Sequence, residues 1–234
     1  MRRFIDFHIR APEDEGTLQS MLELGSKLGF KGLGIVASGK IPDSIRKNAS
    51  ELGVDLVSRV DLKPRNTREL TSTLSKIRRR FEIIAVDCRS KEVARQAAKD
   101  NRVDVLNFPS SYPDRKKVWF DRQEASLASG ANCAYETNLS DILGKGPIVA
   151  SGLLSIMRDE VENANRCNVP IVVSSGAAAP LLMRDPRGLA AILCLLGMEE
   201  MEGLDTVSTD PWRLVEVNRG KLGREFVAPG VRAL

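Results

Sequence analysis

The chain has 234 residues, 42% of them hydrophobic and 28% charged, and a net charge of +4. That length suits one large domain or two small ones, and the apolar share supports a sizeable core, which excludes a disordered chain. Only 5% of residues are aromatic, which argues against a base-stacking platform for single strands, while the modest cationic excess leaves an anionic partner open.

The first predicted element is a strand at Phe4–His8, crowded with Phe4, Ile5 and Phe7 and continued by Ile9. Asp6 and His8 lie two apart, so on a strand they share a face. An Asp-x-His pair at a strand end is a natural start for a metal site, but a multi-metal hydrolase needs further imidazoles and carboxylates. His8 is the single histidine of the chain, and Arg10 stands at the next same-face position with a positive charge where a lone pair is needed. Asp6 and His8 therefore read as vestiges in a metal-enzyme scaffold that holds no metal, with His8 satisfied by neighbouring polar groups. The use of such a scaffold is to be sought in binding.

A helix follows, with Leu18, Met21, Leu22, Gly25 and Leu28 on one face and Gly29 at its end. The next strand, Gly32–Ala37, contains a G-x-G-x-x-A pattern. It falls inside a strand after a helix, the wrong context for a dinucleotide-binding turn. Val54–Val60 is the third strand. Asn66 with Glu69 three residues on opens a helix lined by Leu70, Leu74, Ile77 and Phe81. Arg78, Arg79 and Arg80 close that helix and answer its dipole. Strands at Glu82–Cys88, Val103–Phe108, Cys133–Thr137 and Pro170–Ser174 come next, and Leu204–Ser208 is a weaker eighth candidate. Asp185-Pro186 and Asp210-Pro211 both read as an N-cap followed by an N1 proline, starting the last two helices.

Eight strand–helix beats in 234 residues give about 29 residues per unit, the spacing of βαβ units. No linker or composition shift divides the chain. The expected fold is one α/β domain over residues 1–234, an irregular TIM-like (β/α) barrel with seven or eight parallel strands; the runner-up is an open doubly wound sheet. Cys88, Cys133, Cys167 and Cys194 are scattered without a C-x-x-C pair, as in reduced cytosolic proteins. No secretory leader and no membrane span are expected, which points to the cytoplasm.

In either fold, ligands bind beyond the carboxyl ends of the strands. The loops there carry Arg10, Lys40, Lys63, Arg65, Arg89, Arg115, Lys116, Lys117, Arg184 and Arg187. Each alone is explained by solubility; placed together at one end they suggest a phosphate-binding face. Carboxylates are expected to be sparse there, with Asp87 ending the fourth strand. The loop Ser174-Ser-Gly176-Ala-Ala-Ala-Pro180 either cradles a phosphate with its backbone or is a plain tight connection. No nucleophile motif, P-loop or serine–histidine–aspartate set is present.

The stretch Ser174-Ser-Gly-Ala, then Met183-Arg-Asp-Pro-Arg187-Gly-Leu-Ala-Ala191, then Leu196-Gly, resembles the signature of ribonuclease P protein component 3, the archaeal relative of the thirty-kilodalton subunit of eukaryotic ribonuclease P. The opening Phe4-Ile-Asp-Phe-His8, the segment Val105-Leu-Asn-Phe108 and the closing Pro211 to Arg219 are similar to it as well. The resemblance implies a TIM-like barrel related to the polymerase-and-histidinol-phosphatase metal hydrolases. It also implies a non-catalytic subunit of the ribonucleoprotein that removes 5′ leaders from precursor tRNA, in which RNA is the catalyst and Mg2+ belongs to that RNA. The implied partners are ribonuclease P RNA, protein component 2 in a heterotetramer with two copies of each, and other ribonuclease P proteins, with precursor tRNA met indirectly. Arg184 and Arg187 match the family's arginine-bearing block; Asp185-Pro186 stands where many relatives have Ser-Pro, and both cap a helix. The alternatives are a metal-dependent phosphoesterase using Asp6 and His8, and a metabolic barrel enzyme acting on a small phosphorylated ligand. The isolated chain is expected to be inactive.

Overall fold

The computed structural model describes residues 2–12, 14–37, 39, 41–223, 226–228 and 231–232. Seven strands, β1 (Phe4–Arg10), β2 (Phe30–Val36), β3 (Asp55–Leu62), β4 (Ile83–Asp87), β5 (Val105–Asn107), β6 (Ala134–Asn138) and β7 (Ile171–Ser174), pair in sequence order and all in parallel. Parallel neighbours need crossover connections. Most are helical: α1 (Glu15–Lys27), α2 (Asp43–Glu51), α3 (Thr67–Ile77), α4 (Lys91–Ala98), the short α5 (Tyr112–Arg115) with α6 (Arg122–Ala131), and α7 (Pro147–Arg166). After β7 come α8 (Pro186–Leu195), α9 (Glu200–Asp205), α10 (Thr209–Leu222) and a small antiparallel pair, β8 (Phe226–Ala228) with β9 (Val231–Arg232).

The expected TIM-like barrel forms, with seven strands and a near-closure. The weak eighth candidate at Leu204–Ser208 is not a strand: its first residues finish α9 and the rest form a turn. That turn nevertheless fills the gap an eighth strand would occupy. Val207 O accepts from Ile5 N of β1 at 2.9 Å, and Thr206 O accepts from Val173 N of β7 at 3.3 Å. At the other end β1 meets the loop that follows β7, through an Ile9–Ala177 bridge in which Arg10 N donates to Ala177 O at 2.9 Å.

Several local signals act as the sequence suggests. Asn66 accepts from Glu69 N and caps α3, Asp185 accepts from Arg187 N and Gly188 N and caps α8, and Gly29 adopts φ +93° just beyond α1. At Asp210-Pro211 the expectation is off by two residues. Ser208 is the N-cap and Thr209 begins α10, which places Asp210 and Pro211 inside the first turn, where both an acidic side chain and a missing N–H are tolerated.

Two apolar layers hold the barrel. The outer one lies between strands and helices and includes Leu18, Met21 and Leu22 of α1 and Leu70 and Leu74 of α3. The inner one is built from Ile5, Phe7, Val57, Ile83, Ala85, Val105, Ala134 and Val172, closed by Trp212 and Val215 of α10. Full burial of one such large side chain contributes about 1.5–3 kcal/mol. Trp212 packs so close to Gly32 that a Cβ there would sit 2.6 Å from the indole, so α10 plugs the amino-terminal end and leaves the carboxyl end open. Cys88, Cys133, Cys167 and Cys194 are all free.

Candidate nucleic-acid interface at the barrel mouth

Side chains two apart on a strand share a face, so each strand that supplies an inner apolar residue supplies another residue one step nearer the mouth. From Val57 of β3 the steps are Arg59 and Asp61; from Ala134 of β6, Glu136 and Asn138; from Ala85, Asp87; from Val105, Asn107; from Val172, Ser174. The apolar plug therefore gives way to a polar layer, and above it opens a cleft of about 650 Å3 lined by His8, Arg10, Asp61, Lys63, Asp87, Arg89, Asn107, Lys117, Asn138 and Asp141, among others.

The centre of the polar layer is an ion cluster that the sequence did not announce. Arg59 is fully buried, and its guanidinium donates to Glu136 Oε1 at 2.7 Å, to Glu136 Oε2 at 2.6 Å, to Asp61 Oδ1 at 2.7 Å and to the backbone oxygen of Phe7 at 2.9 Å. Burial opposes the charge of Arg59, but the two carboxylates more than offset it and hold the arginine firmly protonated. The same guanidinium and His8 hold Asp61 far below the usual carboxylate range despite its burial, and Glu136 is lowered too. Phe7 O reaches inward where the β1–β2 register shifts between Asp6 and Ile9. There the backbones run so close that a Cβ on Gly34 would lie 2.3 Å from Phe7 O.

Asp6 meets His8 through the backbone, with His8 N donating to Asp6 Oδ1 at 3.4 Å, and the two side chains find their main partners elsewhere. The Asp6 carboxylate turns to the loop after β7, where Oδ1 accepts from Ser175 N at 3.0 Å, and burial pushes it up to about 6. His8 joins a chain of hydrogen bonds whose polarity is set by its far end. Glu136 Oε2 accepts from Asn107 Nδ2 at 2.9 Å, Asn107 Oδ1 accepts from Asn138 Nδ2 at 3.0 Å, and Asn138 Oδ1 lies 2.8 Å from His8 Nδ1. A carboxylate can only accept, so each amide orientation follows from it and His8 Nδ1 is the donor. On its other side, His8 Nε2 lies 3.0 Å from Asp61 Oδ2.

The metal implied by the hydrolase resemblance does not fit this mouth. A ligating histidine needs a bare lone pair; His8 Nδ1 is spent on Asn138 Oδ1, which leaves Nε2, 3.0 Å from Asp61 Oδ2, as the one nitrogen available among the described histidine side chains. Arg59 takes up Glu136 and one oxygen of Asp61. Among the described residues no group of three or more histidine, cysteine, aspartate or glutamate side chains is arranged to hold an ion.

Of the ten cations expected around the mouth, Arg10, Lys63, Arg89 and Lys117 line the cleft. Arg10 and Lys63 are exposed and enter no ion pair among the described residues, whereas Arg89 pairs with Asp87 at 2.8 Å and Lys117 with Asp114 at 3.9 Å. Arg65 is exposed and pairs with Glu69, and Lys116 lies over the Tyr112 ring. Lys40 lies outside the described residues. Arg184 donates to Leu181 O and Met183 O; Arg187 is exposed on the first turn of α8, whose amide hydrogens Asp185 already engages.

Arg115 is a correction. It is fully buried, clasped by Glu160 of α7, with Tyr135 Oη at 3.0 Å and Asp141 at 3.5 Å. Its guanidinium ties α5 to α7 and cannot meet RNA without unfolding that corner. Carboxylates are also commoner here than expected, since Asp61, Asp87, Asp114 and Asp141 all line the cleft. The β7 loop is a tight connection: Ser175 N goes to Asp6 and Ala177 N to Ser175 Oγ, so neither amide is offered to a phosphate.

Comparison with known proteins agrees with this architecture. Ribonuclease P protein component 3 of Methanosarcina acetivorans is 28% identical over 240 aligned positions, covering 99% of this chain and 96% of its own. A chain in a cryo-EM structure of archaeal ribonuclease P with mature tRNA superposes with a TM-score of 0.84 at 22% identity, covering 98% of this chain and 97% of that one. Histidinol phosphate phosphatase of Lactococcus lactis, solved with zinc, L-histidinol and phosphate, shares the fold at a TM-score of 0.54 and 10% identity over 84% of this chain and 95% of that one. The model of the family described as RNase P subunit p30 matches residues 3–222, and the chain belongs to that family.

Proposed function

We propose that this chain is a non-catalytic protein subunit of ribonuclease P, which supports the catalytic RNA in removing 5′ leaders from precursor tRNA. Family membership across nearly the whole chain carries the reading, and the chemistry of the mouth agrees with it. A buried arginine fills the place where a hydrolytic centre would need an ion, and cations ring the opening. The subunit binds ribonuclease P RNA through that ring, with Arg10 and Lys63 foremost and Lys116, Arg184 and Arg187 beside them. It pairs with protein component 2, two copies of each, alongside other ribonuclease P proteins, and meets precursor tRNA indirectly. Mg2+ belongs to the RNA and not to this chain. The place of work is the cytoplasm, a reading compatible with the finding that no described helix is long and apolar enough to cross a membrane.

The metal-dependent phosphoesterase alternative is not favoured, because Asp6 is turned to Ser175 N, His8 Nδ1 is spent on Asn138, and the nearby carboxylates Asp61 and Glu136 are taken up by Arg59. Reconstitution tests both. The chain alone, with Mg2+, Mn2+ or Zn2+, is expected to cleave neither precursor tRNA nor a simple phosphoester. Added to ribonuclease P RNA with component 2, it is expected to raise precursor-tRNA cleavage at limiting Mg2+. Cleavage by the isolated chain, or no gain on adding it, overturns the proposal.

A further inference from the structure

Helix α8 keeps almost no polar side. Its inward residues Leu189, Ala190, Ile192 and Leu193 are buried, while Arg187, Gly188, Ala191, Cys194 and Leu195 are exposed. Counted from Ala191, the others stand three or four positions away in either direction, so all share one face of the helix. After Arg187 the next charged or strongly polar side chain is Glu199. A helix with one side in water ordinarily keeps that side polar, and a helix that is apolar all round is a buried one. Single exposed leucines are ordinary, but here they gather. Of the six large apolar side chains exposed among the described residues, four lie on α8 or on its neighbours in the chain. Leu195, 68% exposed, is on α8; Leu181, 89% exposed, and Leu182 are in the turn before it; Met201 is on α9. Arg184 fastens that turn to the start of α8 by donating to Leu181 O and Met183 O. On the flank, α9 packs so closely that a Cβ on Gly203 would lie 3.1 Å from Ala190 O.

Given the reading of this chain as one protein among the subunits of ribonuclease P, on which this step rests, we propose that the outer face of α8, headed by Leu181 and Leu182, docks an amphipathic helix of another protein subunit. Gly188 and Ala191 sit at the middle of the face, where small side chains let a second helix come close. The ends of the face set the charges of the partner. Arg184 and Arg187 are exposed at the amino-terminal end, and neither enters an ion pair among the described residues. Glu199 and Glu200 are exposed just past the carboxyl end, where Arg158 of α7 already donates to Leu195 O at 3.3 Å. The complementary helix carries carboxylates over the arginines, a lysine or arginine over the glutamates, and apolar side chains between them. RNA fits less well: a phosphate backbone suits the arginine end alone and gains nothing from the uncharged stretch beyond it. A second copy of this chain also fits less well. Laid antiparallel across Ala191 under a two-fold axis, it would set Arg187 against Leu195 at both ends, a guanidinium on a leucine, which a different chain avoids. The face lies on the outside of the barrel, so a protein seated there leaves the cleft at the mouth open to RNA.

The test uses the full chain in four forms: native, Ala191→Lys, Leu195→Lys and, as a control elsewhere on the surface, Val217→Lys. Lysine is a good helix former, and all three positions are exposed, so each variant is expected to melt within about 2 °C of native. The probes are purified protein component 2 and, one at a time, the other ribonuclease P proteins. Affinity is measured by titration calorimetry without RNA, and self-association of the chain by analytical ultracentrifugation. Both α8 variants are expected to lose about thirtyfold or more in affinity for one of these proteins, while Val217→Lys stays within about twofold. Binding of the chain to ribonuclease P RNA alone is expected to stay within about twofold in all four forms. Five results overturn the proposal: no pairing of the native chain with any of the proteins, unchanged pairing in both α8 variants, an equal loss in Val217→Lys, a native dimer that Leu195→Lys dissociates, or a loss confined to RNA binding. Precursor-tRNA cleavage by the reconstituted particle separates the two levels. A native chain that gives no gain in cleavage overturns the subunit reading, whereas a native gain with unchanged pairing in the α8 variants overturns the docking face alone.

Discussion

Arg115→Met separates an RNA contact from a structural pin, because the two roles move different observables. The guanidinium sits between α5, β6 and α7 with no solvent exposure. Its Nε lies 3.1 Å and 3.2 Å from the two oxygens of Glu160, and Nη2 reaches the same carboxylate and Tyr135 Oη; Nη1 caps the backbone oxygens of Phe108 and Pro109 at 3.3 Å. Glu160 also accepts from Tyr135 Oη at 2.7 Å and from Phe120 N at 3.0 Å. Methionine fills most of the volume but strands Glu160 as a buried charge. Breaking a buried pair in this way costs about 3–5 kcal/mol. For a chain of this length that is a fall of about 6–20 °C in Tm, at 2–4 °C per kcal/mol.

The companion variant is Arg115→Met/Glu160→Gln, in which the amide oxygen still accepts from Phe120 N but carries no charge. It is expected to recover about 1–3 kcal/mol relative to the single variant, a coupling in the range seen for residues of one network. Urea unfolding followed by circular dichroism measures both. Below the transition, affinity for the RNA–component 2 assembly is expected to stay within about twofold of native, under 0.5 kcal/mol. A loss below about 1 kcal/mol in stability, or a tenfold loss of RNA affinity in the folded variant, would refute the structural assignment.

Asp6→Asn is expected to remove a pH dependence: the native carboxyl is raised to about 6 against an ordinary value of 3.8, so the folded state holds a proton that the unfolded state releases. Native stability then falls as pH rises from about 4 to 6, by up to about 3 kcal/mol from this group, and the fall is smaller by that amount in the asparagine variant, which keeps the contributions of other raised carboxyls such as Asp141, when urea midpoints are compared at pH 4 and 7.5; parallel profiles would contradict this. Glutamate at Arg10 and Lys63 is expected to weaken RNA binding and lower the salt slope by about 0.7–0.9 per lost phosphate contact, while Arg79→Glu at the opposite end changes little; equal effects would put the RNA on the wrong end of the barrel. Arg184→Lys/Arg187→Lys keeps charge and loses the fork geometry, and is expected to weaken holoenzyme assembly without lowering Tm. Gly34→Ala forces a Cβ against Phe7 O and is expected to cost about 1–3 kcal/mol in a urea melt.

The seven strands were legible because each is a short, largely apolar run between helical stretches, and each bound lies within two residues of its expected position. The eighth misled because Val207 looks like strand sequence, yet the work of an eighth strand is done by two carbonyls of a turn, those of Thr206 and Val207, for which composition offers no mark. Arg59 and Glu136 were legible in principle. Val57-x-Arg59-x-Asp61 and Ala134-x-Glu136-x-Asn138 carry the period of one strand face, and a charge in the middle of a buried strand demands a partner. What the sequence withholds is that the two partners face each other across the barrel, 77 positions apart. Arg115 failed for the opposite reason. Its neighbours Lys116 and Lys117 are exposed, and three basic residues in a row hide that the first turns inward on α5 while the other two turn out.

The distribution of counter-charges narrows how the mouth meets an anion. An exposed ion pair is worth about 0–1 kcal/mol, so Arg89 can leave Asp87 and Lys117 can leave Asp114 for a phosphate at little direct cost. The exchange nevertheless leaves a carboxylate beside the incoming phosphate, and that repulsion cancels part of the attraction. Arg10 and Lys63 carry no such penalty. Arg10 borders Asp141, which burial pushes up to about 6 and which is therefore easier to neutralise than an exposed carboxylate when a phosphate approaches. Arg59, held by Asp61 and Glu136, adds nothing outward. Affinity at the mouth is therefore expected to concentrate on the cations after β1 and β3, two strands apart on one side of the opening, instead of being spread evenly around the ring of basic loops that the sequence suggests.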